Sequence, residues 1–147
     1  MYSIIQKKEK VNESDKICLI DPKGSDITKF KGADIITPNY KEIKMLVGPY
    51  DNEKDFERKI FRMMEENEIK NIVLTKGMHG ITLFQLEENL KFNIKGRASE
   101  VYDVTGAGDT VISVLAVLMA INYSLKSACE VANRAGGIIV QKFGTTS

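Results

Sequence analysis

The 147-residue sequence predicts an α/β protein with a three-layer αβα arrangement around a mostly parallel sheet. Three observations point to that class. Short continuous apolar runs at 17–20, 34–37 and 71–75 end in turn residues, as buried parallel strands do. Helical patterns alternate with them, most clearly at 51–67, and that alternation marks a parallel sheet covered by helices. The third is a small-residue turn, Asp103-Val104-Thr105-Gly106-Ala107-Gly108-Asp109-Thr110, which opens onto a long apolar run over 111–121.

In chain order, residues 3–10 read as the tail of a helix, followed by the first strand and the turn Asp21-Pro22-Lys23-Gly24. The second strand is closed by Pro38-Asn39. A short helix over 40–47 follows, with Ile43, Leu46 and Val47 on one side, stopped by Gly48-Pro49. The helix over 51–67 buries Phe56, Ile60, Met63 and Met64 and keeps Glu53, Lys54, Glu57 and Arg58 wet. The Met pair reads as core filler. The third strand runs into Lys76-Gly77-Met78-His79-Gly80, with His79 an exposed loop residue. Strands at 81–86 and 90–94 flank Glu87-Glu88-Asn89 as a hairpin.

Residues 97–102 lead into the small-residue turn. The run Val111, Ile112, Val114, Leu115, Leu118, Met119, Ile121 leaves almost no polar face, so this helix is expected to be buried. Ser124 caps a last helix to about Lys142, rich in small residues that permit close packing. Residues 143–147 are expected to form a loop. No repeat, low-complexity tract or linker interrupts 1–147, which reads as one domain.

Composition narrows the function classes. Hydrophobic residues make up 43% and charged residues 28%, and the net charge is +1, which argues against a nucleic-acid or membrane-surface partner driven by bulk charge. No signal peptide or membrane span is expected. Two distant cysteines, Cys18 and Cys129, both expected in buried elements, and a single histidine suggest a reduced, cytoplasmic protein without a zinc site.

The chemistry concentrates at the ends of the predicted strands, where α/β sheets bind ligands. In the turn before the apolar helix, the first backbone N–H groups lack intrahelical partners and the helix dipole is positive. The small side chains of Gly106, Ala107 and Gly108 would let a phosphate approach those amides. Asp109 would stand beside the anion, placed to accept a proton from an attacking hydroxyl. Asn39 and Glu42 have capping-box spacing and, from spacing alone, fit a helix cap better than a cation site. Gly77 and Gly80 flank a turn whose amides could touch phosphate or ribose. There is no P-loop, and Gly106-Ala107-Gly108 lacks the third glycine of a dinucleotide fingerprint.

The string from Val101 to Ile112 closely resembles the signature of the ribokinase-like, phosphofructokinase-B type sugar kinases, and within them the branch that phosphorylates heptose phosphates. Thr37-Pro38-Asn39-x-x-Glu42, Thr75-x-Gly77-x-x-Gly80, Asp21-Pro22-Lys23-Gly24 and Ala132-Asn133 resemble further parts of that family's pattern. The resemblance implies a ribokinase-like fold and an ATP- and Mg²⁺-dependent kinase for a sugar phosphate, D-glycero-beta-D-manno-heptose 7-phosphate in the branch matched. It makes Asp109 the catalytic base and Gly106, Ala107 and Gly108 an anion hole. It assigns Asn39, Tyr40, Lys41, Glu42, Thr75, Gly77, Gly80 and Asn133 to ATP. Asn39 and Glu42 would also hold hydrated Mg²⁺, and Lys23 would contact phosphate. Asp103, with the Gly144 loop, would lie near a monovalent cation such as K⁺. The match covers only the carboxyl-terminal half of the family's domain, without the sugar-site motif and β lid of the preceding half. A homo-oligomer is expected. The rival readings are a non-catalytic nucleotide-binding or assembly module, and a kinase for a different sugar.

Overall fold

The computed structural model describes residues 17–96 and 105–145, with side chains described at 17–96 and 111–135. The expected helix tail at 3–10, the segment 97–104 with Asp103, and residues 146–147 lie outside the described residues. Five strands form one sheet in the order β1 (Leu19–Ile20), β2 (Ile35–Ile36), β3 (Asn71–Thr75), β4 (Ile81–Gln85), β5 (Leu90–Ile94). β1, β2 and β3 pair in parallel, with Leu19 opposite Ile35 and Ile35 opposite Asn71. The links before and after β4 are too short for a crossover, so β4 runs against both neighbours. Lys70 pairs with Leu86 and Lys76 with Gly80 in backbone hydrogen bonds, as an antiparallel ladder requires. β5 therefore points the same way as β1–β3, and the sheet is mixed but mostly parallel.

The chain is organised as two compact units, Met1–Leu74 with Phe84–Lys91, and Thr75–Leu83 with Phe92–Ser147. In the first, helices α1 (Tyr40–Val47) and α2 (Glu53–Glu66) pack on the strands. Ile20, Ile36, Ile43, Phe56, Ile60, Met64, Ile72 and Phe84 form the centre of its core. Met63 and Met64 are buried there as filler, and Phe56 makes ring contacts with Tyr40 and Tyr50. Both faces of β1–β3 are buried, with Leu19, Ile35 and Val73 on the side opposite Ile20, Ile36 and Ile72. That two-sided burial is why these strands read as continuous apolar runs. α2 starts later than the pattern suggests because Asn52 caps it, its side chain accepting from the Asp55 N–H at 2.9 Å. A 3-10 helix, Ile27–Phe30, carries the fully buried Phe30. Its four residues are too few to show a period.

In the second unit, α3 (Thr105–Ala120) packs against α4 (Leu125–Thr145). Ser124 caps α4, its hydroxyl accepting from the Ser127 N–H at 3.2 Å. Two expectations fail here. α3 is not buried all round: Val111 and Leu115 are covered, but Val117 is 61% exposed, and so is Ile121 just past its end, at 59%. One neighbouring helix buries one stripe, and apolar character on every side does not by itself supply a second cover. Residues 143–145 are helix, not loop, and Gly144 lies within α4. A glycine costs a helix only about 1 kcal/mol, which leaves continuation open when no proline stops it. The Gly144 loop expected beside a monovalent cation is therefore absent. Cys129 is buried as expected, while Cys18 is only half-buried.

Candidate functional site

The carboxyl ends of β1 and β2 bring two sequence motifs together in the first unit. After β1 the chain turns through Asp21-Pro22-Lys23-Gly24. Pro22 is buried and anchors the turn, and Gly24 takes φ +90°, a conformation that strains any residue with a Cβ. After β2, buried Pro38 leads into Asn39, the N-cap of α1. The Asn39 side chain accepts the Glu42 N–H at 2.7 Å, and Glu42 Oε1 accepts the Asn39 N–H at 2.8 Å. This is a reciprocal capping box. Glu42 Oε2 accepts from Lys23 Nζ at 3.0 Å, and the same ammonium lies 3.6 Å from Asp21 Oδ2. Lys23 is thus held by carboxylates, and its bond to Glu42, with help from Asp21, pushes its pKa up.

Thr37 Oγ1, two residues before Asn39, is buried with no hydrogen-bond partner among the described residues. A buried hydroxyl without a partner is costly, and such atoms cluster where something polar is to be bound. On the exposed side of α1, Tyr40, Lys41, Lys44 and Met45 line an open, mainly apolar depression of about 400 Å³. Lys44 Nζ sits 4.5 Å from the centre of the Tyr40 ring. Burial, and a hydrogen bond that the Tyr40 hydroxyl donates to Tyr50, raise the Tyr40 pKa.

In the second unit, the loop after β3 forms a 3-10 turn, Gly77–His79, with Gly77 at φ +59° and His79 exposed. Gly80 has φ +92°, and a Cβ there would stand 1.9 Å from the Ile94 carbonyl oxygen and 2.5 Å from the Gly96 nitrogen. Gly96 is equally constrained, since its Cβ would stand 1.8 Å from the Met78 carbonyl oxygen. The two glycines let the loop over 76–80 lie directly on the end of β5. Gly80 is therefore demanded by backbone packing within this loop, and Gly96 is its counterpart, missed in the sequence because a single Lys-Gly after a strand carries no motif. Asn133 is half-buried, and its Nδ2 donates to the Lys95 carbonyl at 2.8 Å, tying α4 to the same segment. Thr75, at the end of β3, is half-buried.

Gly106, Ala107 and Gly108 lie within the first turn of α3 rather than in a turn ahead of it. Asp109 follows them at the fifth helical position. The amide groups of that first turn have no intrahelical acceptors. Among the described residues no cluster of three or more His, Cys, Asp or Glu could hold a metal by itself, and no helix is long and apolar enough to cross a membrane.

Residues 4–147 match the pfkB family of carbohydrate kinases, which is nearly the whole chain. The chain belongs to that family. Among relatives, it is 43% identical over 129 residues to the bifunctional protein HldE of Shewanella piezotolerans, covering 88% of this chain and 27% of that protein. It is 40% identical over 147 residues to the HldE of Psychromonas ingrahamii, covering 100% of this chain and 30% of that one. The pfkB chain thus spans less than a third of the length of the curated relatives it matches. The fold agrees with solved ribokinases: one from Thermotoga maritima superposes with a TM-score of 0.70 at 26% identity, over 84% of this chain and 42% of that one. An Arabidopsis thaliana ribokinase complexed with ribose and ATP gives a TM-score of 0.73 at 24% identity, over 89% and 43%. The ribokinase-like α/β class is therefore the fold of this pfkB chain.

Proposed function

We propose that this chain is the ATP-binding, base-carrying part of a sugar kinase that phosphorylates the anomeric hydroxyl of a heptose 7-phosphate. One observation carries the reading: in a pfkB chain, the string Thr105-Gly106-Ala107-Gly108-Asp109 forms the beginning of α3. Small residues in a first turn leave the free amides open to an anion. Those amides stabilise charge on the phosphoryl group in transit, and Asp109 accepts the proton of the attacking hydroxyl. Thr75, Gly77, Gly80 and Asn133 border the nucleotide, the last two by fixing the loop over 76–80 and the end of β5. Tyr40 and Lys41 follow the cap at the start of α1 and are proposed as further ATP contacts.

The residues at α1 suit Mg²⁺. Glu42 offers hard carboxylate oxygens already oriented by two hydrogen bonds, each with a further lone pair, and the unpartnered Thr37 hydroxyl lies close by in sequence. When bound, Mg²⁺ supplies positive charge to the phosphate oxygens. Asn39 and Glu42 can cap α1 and still receive the ion's water shell. The monovalent cation expected beside Asp103 concerns a residue outside the described ones.

A second reading is favoured by coverage. The chain spans about two-fifths of the Thermotoga ribokinase, so it could serve as a nucleotide-binding module whose sugar site lies in sequence it does not span. The heptose identity rests on the branch resemblance, which the HldE relatives support, and a kinase for another sugar is the alternative. Self-association through the exposed apolar side of α3 fits the expected homo-oligomer. The test of the main reading is ATP binding by the chain, followed by calorimetry. Gly108→Val, which puts a branched side chain among the first-turn amides, is expected to weaken binding at least tenfold, on the order of one lost charge-assisted hydrogen bond. Unchanged affinity would remove α3 from the phosphate site.

A further inference from the structure

The capping box accounts for Asn39 and for one oxygen of Glu42, but not for Lys23. A capping carboxylate needs no cation. Lys23 nevertheless reaches across nineteen residues to Glu42 Oε2 at 3.0 Å and lies 3.6 Å from Asp21 Oδ2. The Glu42 and Asp21 side chains are only 15% and 21% exposed, while that of Lys23 is 45% exposed. Two largely covered carboxylates thus converge on one ammonium carried by a half-exposed, flexible side chain. Buried Pro22 and the positive φ of Gly24 set the turn that returns Lys23 to them.

We propose that Lys23 is a resident counter-ion for the Glu42 carboxylate, standing where a divalent cation's charge would otherwise be felt and competing with it. The inference rests on the reading of Glu42 as a cation-holding residue and assigns Lys23 a role different from direct phosphate contact. In the cation-free chain the ammonium keeps two covered carboxylates from repelling each other. When a hydrated divalent ion arrives, the ammonium gives up Glu42 Oε2. Long, mobile side chains release such bonds at small cost, because an exposed ion pair contributes little. Lys23 therefore sets how tightly the site holds a cation.

The test is Mn²⁺ binding to the 147-residue chain without nucleotide, read from the free-ion electron paramagnetic resonance signal, with melting temperature followed in parallel. Lys23→Met and Lys23→Gln both remove the charge. Each is expected to bind Mn²⁺ at least about threefold more tightly than wild type, the order expected for one unit charge lost at contact distance near solvent. Lys23→Arg keeps the charge and is expected to bind like wild type. Glu42→Gln in the Lys23→Met background is expected to cancel the gain. Equal or weaker Mn²⁺ binding by both neutral variants, with Glu42→Gln still weakening it, would overturn the counter-ion role and leave the cation reading of Glu42 standing. If Glu42→Gln changes Mn²⁺ binding in neither background, the cation reading of Glu42 falls and the proposal with it.

Discussion

At residue scale, single atoms decide what a motif residue is for. Gly80 and Gly96 cannot carry a Cβ, because backbone oxygens stand within 2 Å of where it would be. Gly80→Ala combines that clash with a positive φ and is expected to destabilise the second unit by about 2–4 kcal/mol, seen as a lowered melting temperature. Gly24→Ala, with the same sign of φ but open space around it, is expected to cost only about 1 kcal/mol. Cys129 offers a different reading of burial. Its surroundings, with Glu130 adding a smaller push, raise its pKa from 9.0 to about 12. The folded pKa lies above the unfolded one, so this contribution to stability is complete below pH 9 and is lost as pH rises toward 12. A thiol reagent at pH 8 is expected to modify Cys129 only after denaturant unfolds the chain. Rapid native-state modification at that residue would show that the buried face of α4 opens without unfolding.

At the scale of elements, the same residues serve structure and chemistry together. Asn39→Ala removes the acceptor for the Glu42 N–H and is expected to cost about 1 kcal/mol of stability by chemical denaturation. At α2, Asp55 accepts the Asp51 N–H and pairs with Lys59 and Arg58, and these contacts hold its carboxyl below the usual carboxylate range. A depressed folded pKa means the unfolded state takes up the proton first. Stability from this group is therefore present at neutral pH and is lost as pH falls from about 4 through its lower folded value. Asp55→Asn is expected to flatten that acid limb of the stability curve; an unchanged limb would assign acid unfolding elsewhere.

Much of this level was legible in the sequence. α1 and β3 fall where their apolar spacing and stop signals put them, because a capping box, Gly48-Pro49 and a two-sided buried strand each leave a local mark. The Lys23–Glu42 pair did not, since it joins residues nineteen apart and no local pattern encodes that contact. The end of α4 was misjudged because the decision at Gly144 turns on a small energy difference. The exposure of α3 was hidden for another reason: an apolar helix records that its sides suit burial, not what buries them.

At the scale of the molecule, each of the two compact units leaves some large apolar residues exposed, Tyr40, Met45 and Leu90 among them in the first. The first has a core of Phe, Ile and Met side chains with almost no exposure. In the second, Val117, Ile121, Tyr123 and Val131 are exposed. Apolar surface of this kind favours association. The chain is expected to self-associate, with sedimentation coefficients that rise with concentration, and Val117→Lys with Ile121→Glu should reduce that rise. A monomer across a wide concentration range in the unaltered chain would contradict the expectation. Catalysis belongs to the same scale, because the chain spans less than a third of its HldE relatives. The 147-residue chain with ATP, Mg²⁺ and heptose 7-phosphate is expected to release ADP no faster than the uncatalysed background.

Asp109, in the first part of α3, is proposed as the base of a phosphoryl transfer. That role is tested most directly by Asp109→Asn in the protein that joins this chain to the rest of the kinase found in its relatives. The amide keeps the shape of the side chain and removes the proton acceptor. The kcat for sugar phosphorylation is expected to fall at least about a hundredfold while ATP affinity and melting temperature stay near wild type. An Asp109→Asn enzyme with kcat within a few-fold of wild type and a lowered melting temperature would contradict it and leave Asp109 as a residue that only helps α3 begin.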